Sequence, residues 1–86
     1  MGLFEIRWKH SATKELKKLP PQDIQRILKA VEELASEPYP HGTRKLTGSD
    51  HSFRIRAGDY RVIYSVLEAC LVIEIVRVGH RKEVYR

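Results

Sequence analysis

Three arginines stand close together in the second half of the chain: Arg54 and Arg56 precede Gly58-Asp59, and Arg61 follows it. Guanidinium groups stay charged and grip phosphate oxygens with paired N–H donors, so arginines gathered on one surface make an anion site. Their spacing decides whether they share a surface. Gly-Asp between two β-like runs predicts a two-residue turn, setting Ala57 opposite Tyr60, Arg56 opposite Arg61, Ile55 opposite Val62, Arg54 opposite Ile63 and Phe53 opposite Tyr64. Directly opposed residues point the same way. Phe53, Ile55, Ala57, Tyr60, Val62 and Tyr64 then form an apolar face, and Arg54, Arg56 and Arg61 a cationic one. Like charges opposed across strands cost up to about 1 kcal/mol, so an anion is expected there. Glu74 is an internal candidate, because a second two-residue turn at Glu68-Ala69 would set it opposite Ile63 on the arginine side. One carboxylate does not balance three guanidiniums, and the excess favours phosphate.

The segment RVGHRKEVYR, residues 77–86, adds Arg77, Arg81, Lys82 and Arg86 against Glu83. Gly79 is expected to interrupt the last strand and let the chain turn His80, Arg81 and Tyr85 beside the arginine face, although sequence leaves their direction open. With the hairpin, these side chains supply what RNA phosphodiester cleavage requires: cations for a negatively charged phosphorane, a proton acceptor for the 2′-hydroxyl and a proton donor for the departing 5′-oxygen. An aromatic ring also stacks on a base. Lys17, Lys18, Lys29, Arg44 and Lys45 are candidates for contacts to RNA phosphates. Other chemistry finds little support. The histidines at 10, 41, 51 and 80 lack metal-ligand spacing, the carboxylates are scattered, and Cys70 has no second thiol, so no metal site or cofactor is expected. The serines show no Ser-His-Asp arrangement, and the glycines form no phosphate loop.

The elements that must position these residues can be read from periodicity. Phe4, Ile6 and Trp8 alternate with charged residues, predicting a strand over 3–8 with Trp8 in the core. Ser11 is an N-cap type, and Ala12, Leu16 and Leu19 follow at helical spacing, predicting a helix over 12–18. Pro21 suits a helix start, and Ile24, Ile27, Leu28, Val31, Leu34 and Ala35 trace one apolar stripe, predicting a second helix over 21–36 that Pro38 and Pro40 end. Residues 37–51 read as a loop. Ser52–Ala57, Tyr60–Leu67 and Cys70–Val78 then read as a three-stranded antiparallel meander. The order β-α-α-β-β-β predicts an α+β fold, an antiparallel sheet with an N-terminal helical hairpin on one face and the first strand at its edge.

Eighty-six residues make a single domain, 1–86, too small for a multidomain enzyme. A hydrophobic fraction of 42% argues against disorder. The longest apolar run, Ala69 to Ile73, is far short of the roughly 20 residues of a membrane span, and no signal peptide is visible, so a cytoplasmic protein with no membrane association is expected. A net charge of +5 favours polyanionic partners.

The stretches KLTG at 45–48, FRIRAGDYRVIY at 53–64 and VGHRKEVYR at 78–86 together resemble the RelE/ParE superfamily of toxins, and the resemblance spans nearly the whole chain. It implies the RelE fold and a toxin of a type II toxin-antitoxin system. RelE-like members cleave mRNA at the ribosome without a metal, leaving a 2′,3′-cyclic phosphate; ParE-like members instead poison DNA gyrase. The favoured expectation is a ribosome-dependent mRNA endoribonuclease, monomeric when alone and held by a RelB-like antitoxin in a heteromeric complex. By the resemblance, Arg54, Arg56, Arg61, Arg81 and Tyr85 stand at catalytic positions, with arginines at 54 and 56 where well-known relatives have lysines. Guanidinium is a poor base, so His80 is expected to accept the proton.

Overall fold

The apolar stripe of the second helix needs a facing surface, and the sheet supplies it. The computed structural model describes residues 3–80. In chain order these form β1 (Glu5–Trp8), α1 (His10–Lys17), α2 (Pro21–Leu34), β2 (Arg44–Lys45), β3 (Ser52–Ala57), β4 (Tyr60–Leu67) and β5 (Val72–His80), with a 3-10 turn, Glu68–Cys70, before β5. Ile27, Val31 and Leu34 of α2 and Ala12 and Leu16 of α1 are buried against Ile55, Ala57, Val62, Tyr64, Val66, Ile73, Ile75 and Val78 of the sheet. Each buried Leu, Ile or Val among them contributes about 1.5–3 kcal/mol. Trp8 packs against this core as expected, whereas Leu28, on the edge of the stripe, is 38% exposed.

Pro21 occupies the first turn of α2 as expected, with Asp23 beside it. The start of α1 differs: it begins at His10, its N-cap is Lys9, and Ser11 lies inside the helix. The Lys9 N–H bonds to the Ile75 carbonyl, which holds Lys9 extended as a continuation of β1 and leaves the helix to start at the next residue.

Strand order is β1-β5-β4-β3-β2. The sheet is mixed rather than wholly antiparallel, because β1 runs parallel to β5, pairing Glu5 with Val72 through Trp8 with Ile75. An alternating pattern marks a buried face but carries no direction, and here the helix pair sets the direction by returning the chain to the start of β1, where the Phe4 N–H bonds the Ala35 carbonyl. The expected loop also contains a short strand, since Arg44 and Lys45 pair with Arg54 and Phe53 at the outer edge of the sheet.

Two further expectations are corrected at β5. The connection from β4 spans Glu68 to Leu71, with Leu67 opposite Val72 and Leu71 in the left-handed region at φ 55°. An irregularity between Ile63 and Tyr64 then shifts the register by one residue on β5. Glu74 precedes that irregularity, so the longer connection alone sets it opposite Ser65 instead of Ile63. Gly79 does not interrupt the strand, which continues to His80.

Candidate functional site

The β3–β4 hairpin has the register expected from its two-residue turn, with Arg54 opposite Ile63 and Arg56 opposite Arg61. Gly58 is favoured by the backbone of the turn, and Arg26 would have to move to admit any side chain there. The Gly58 φ is +64°, and a Cβ there would come within 2.6 Å of Nη1 of Arg26, which reaches over the turn from α2. The alternation of β3 sends Ile55 and Ala57 into the core and leaves Arg54 half-buried and Arg56 exposed on the other face. Arg61 is only 8% exposed. Its neighbours across the strands are Arg56 and Gly79, and its Nη1 donates to the Tyr60 carbonyl at 3.2 Å.

A fourth arginine joins them. Arg44 on β2 is directly opposite Arg54 and therefore points to the same face, whereas Lys45, opposite Phe53, points to the other. Arg44, Arg54, Arg56 and Arg61 line one cleft of about 590 Å3 at the outer edge of β3, walled by Pro40, His41 and Gly42 and by Ala30 and Glu33 of α2. Glu33 is the one carboxylate lining it among the described residues. Glu74, expected as a counter-charge, lies level with Ser65 and Arg7, away from this cleft. The residue opposite Ile63 is Arg77, whose Nη2 lies 3.5 Å from Oε2 of Glu15 on α1.

The loop before β2 is fastened by Tyr64. Its fully buried ring packs against Phe53 at 6.0 Å between centroids, and Tyr39 meets Phe53 edge-on at 5.0 Å. The Tyr64 hydroxyl donates to the Pro38 carbonyl at 2.7 Å and lies 3.5 Å from Oγ1 of Thr43. Burial pushes the Tyr64 phenol above its ordinary range, against a smaller downward pull from the Thr43 hydrogen bond, so it remains a neutral donor. Tyr64 thereby fixes residues 38–43 and sets β2, and with it Arg44, against β3. Alternation in the sequence identifies Tyr64 as core; a hydroxyl partner 26 residues away leaves no local signal.

His80 lies elsewhere. It is opposite Tyr60, on the helix side of the sheet, with ring centroids 5.9 Å apart and planes at 80°. The two rings line a second cleft of about 500 Å3 with Glu15, Lys18 and Leu19 of α1. The structure thus brings Arg54, Arg56, Arg61 and Arg44 together and separates His80 from them by the thickness of the sheet. Lys17 and Lys18 stand at the exposed end of α1, also away from the arginine face, as Lys29 is on α2. Arg81 and Tyr85 lie outside the described residues. Among the described residues, no three His, Cys, Asp or Glu side chains group as metal ligands, and no helix is long and apolar enough to cross a membrane.

Residues 6–85 match the sequence profile of the ParE toxin of type II toxin-antitoxin systems, parDE. The chain is 32% identical to the toxin RelG of Mycobacterium tuberculosis over 87 residues, covering 96% of this chain and 97% of that one. Among solved structures it is similar to an archaeal RelE–RelB complex from Pyrococcus horikoshii, with a TM-score of 0.83 and 32% identity, covering 94% of this chain and 98% of the other. It is also similar to the isolated E. coli RelE toxin, with a TM-score of 0.80 and 27% identity, covering 95% and 90%.

Proposed function

Because the chain belongs to the ParE toxin family of type II toxin-antitoxin systems and is RelE-like in sequence and fold, we propose that it is a ribosome-dependent mRNA endoribonuclease. The observation that carries the reading is the crowding of Arg54, Arg56 and Arg61 onto one sheet face, with Arg44 beside them and a single carboxylate lining their cleft among the described residues. Cations so placed stabilise the charge that builds on phosphorus when a neighbouring 2′-hydroxyl attacks and the 5′-oxygen leaves. The attack forms the 2′-O–P bond of a cyclic phosphate and breaks the P–5′-O bond; one proton leaves the 2′-hydroxyl and one is delivered to the 5′-oxygen, so no metal is needed to balance the step. Arg61 is the best-held of the three, since burial and the bond to the Tyr60 carbonyl fix its guanidinium in advance. His80, on the far side of the sheet end, reaches the phosphate only around that end. We assign Arg81 and Tyr85 to the same active site by their match to the family. Lys45, Lys17 and Lys18 are assigned to outlying contacts with RNA, since exposed cations off the arginine face serve affinity without chemistry.

The partner we assign is a cognate RelB-like antitoxin, by likeness to RelE seen bound to RelB. An acidic or amphipathic segment of it suits the arginine face.

Primer extension on mRNA carried by stalled ribosomes tests the proposal. Wild-type protein is expected to cut at codon-defined positions and Arg61→Ala to lose the cut; absence of any cut, or undiminished cutting by Arg61→Ala, defeats it. His80→Ala run alongside assigns the proton step: loss of cutting without loss of fold places it on His80, and retained cutting moves it to another group. A second reading, a gyrase poison without nuclease activity, is favoured by the match to the ParE profile. Inhibition of DNA supercoiling without arrest of translation would establish it instead.

A further inference from the structure

The four arginines are not an even cluster. Arg44 and Arg54 oppose each other across β2 and β3, and Arg56 and Arg61 oppose each other across β3 and β4. The second pair lies two residues farther along β3, about 6.7 Å on, and one strand to the side. Opposed guanidiniums converge on one anion, and a phosphodiester offers two unbridged oxygens to receive them. The distance between the pairs is comparable to the separation of successive phosphates on an extended single strand, the kind of backbone a cationic groove tracks.

We propose that this face holds two consecutive phosphates of a single-stranded RNA, one between Arg56 and Arg61 and the next between Arg44 and Arg54. The proposal rests on the reading of this face as an RNA-phosphate site and adds its footprint. Arg44 is the residue that decides it. The β2 pairing aims Arg44 at the shared face, while Tyr64, through Pro38 and Thr43, holds the loop that delivers β2. Arg44 is exposed, and among the described residues its side chain makes no hydrogen bond or ion pair, so replacing that side chain leaves the β2 backbone pairing in place. Glu33 stands on the α2 wall of the cleft and repels a strand that strays toward the helix.

The experiment compares two uncleavable 2′-O-methyl oligonucleotides with terminal hydroxyls: a dinucleotide with one phosphate and a trinucleotide with two. Each is titrated into the full chain by NMR at several salt concentrations. The trinucleotide is expected to bind about tenfold more tightly than the dinucleotide. Arg44→Ala should remove most of that difference, lower dinucleotide affinity by no more than about twofold because its one phosphate keeps the Arg56–Arg61 pair, and reduce the slope of log K against log salt for the trinucleotide by about 0.7, the value for one phosphate on a single strand. Arg44→Lys should restore the slope. Equal affinities for the two ligands, or an Arg44→Ala loss that is the same for both or absent from both, overturns the proposal. So does an Arg44 dependence that appears only with an acidic peptide. Primer extension on ribosomes is scored separately: cutting with the length dependence lost sinks the two-phosphate footprint alone, and the length dependence without cutting sinks the nuclease reading alone.

Discussion

β4 has an arginine-bearing strand on each side, and the two sides treat charge differently. Toward β3, Arg61 faces Arg56, with Arg54 and Arg44 beyond and a single carboxylate, Glu33, lining their cleft among the described residues. Toward β5, Ile63 faces Arg77, whose guanidinium is met by Glu15. The same Glu15 accepts the Val78 N–H at 2.9 Å, a donor on the edge of β5 beyond the end of β1. An arginine met by a carboxylate that also closes a backbone bond belongs to the architecture. Arginines set opposite one another across adjacent strands suit the anionic ligand proposed for them.

Substitutions on the two sides sharpen or break that contrast. Arg61→Ala should lower the cutting rate in the stalled-ribosome assay by on the order of a hundredfold or more, the usual effect of removing one charge-stabilising group. Arg77→Ala should change it by less than about threefold, since a partly exposed ion pair contributes no more than about 1 kcal/mol to the fold. Comparable losses from both would erase the distinction. Glu15→Ala should cost about 1–3 kcal/mol in chemical denaturation, because Val78 is 1% exposed and its N–H would be left without a partner. Glu15→Gln retains an acceptor oxygen and should cost less.

Tyr64→Phe removes one hydrogen bond and should cost about 1 kcal/mol at neutral pH, with weaker phosphate binding as β2 loosens. Since folding raises the Tyr64 pKa, its contribution is full below the unfolded value near 10 and is lost as pH rises through the higher folded value. The wild-type protein should therefore lose stability on the alkaline side by a component that Tyr64→Phe lacks, as denaturation at stepped pH would record. The smallest effect is the most diagnostic. Arg56→Gln relieves the repulsion from Arg61 and should raise the melting free energy by a few tenths to about 1 kcal/mol while weakening RNA binding. A destabilised Arg56→Gln protein would mean that the arginine pair is structural after all.

The β3–β4 register was legible because Gly58-Asp59 leaves one way to close the hairpin, and closing it fixes every pair along both strands. The β4–β5 register was not. Its connection takes Leu71 through a left-handed conformation unusual for leucine, and an irregularity follows between Ile63 and Tyr64, just before the stretch of β5 that Glu15 meets from α1. Two added residues in the connection moved Glu74 from Ile63 to Ser65, and the one added at the irregularity then brought His80 opposite Tyr60.

The sequence by itself determined the helix pair, the apolar face that receives it, and the gathering of Arg54, Arg56 and Arg61, because helical periodicity, strand alternation and a two-residue turn are all local. Tertiary structure alone decided that β1 runs parallel to β5, that Arg44 becomes the fourth cation, and that His80 turns toward the helices. Those outcomes depend on hydrogen bonds between residues distant in the chain, such as Phe4 to Ala35, Tyr64 to Pro38 and Glu15 to Val78, and no local pattern encodes which distant group will be there to complete them.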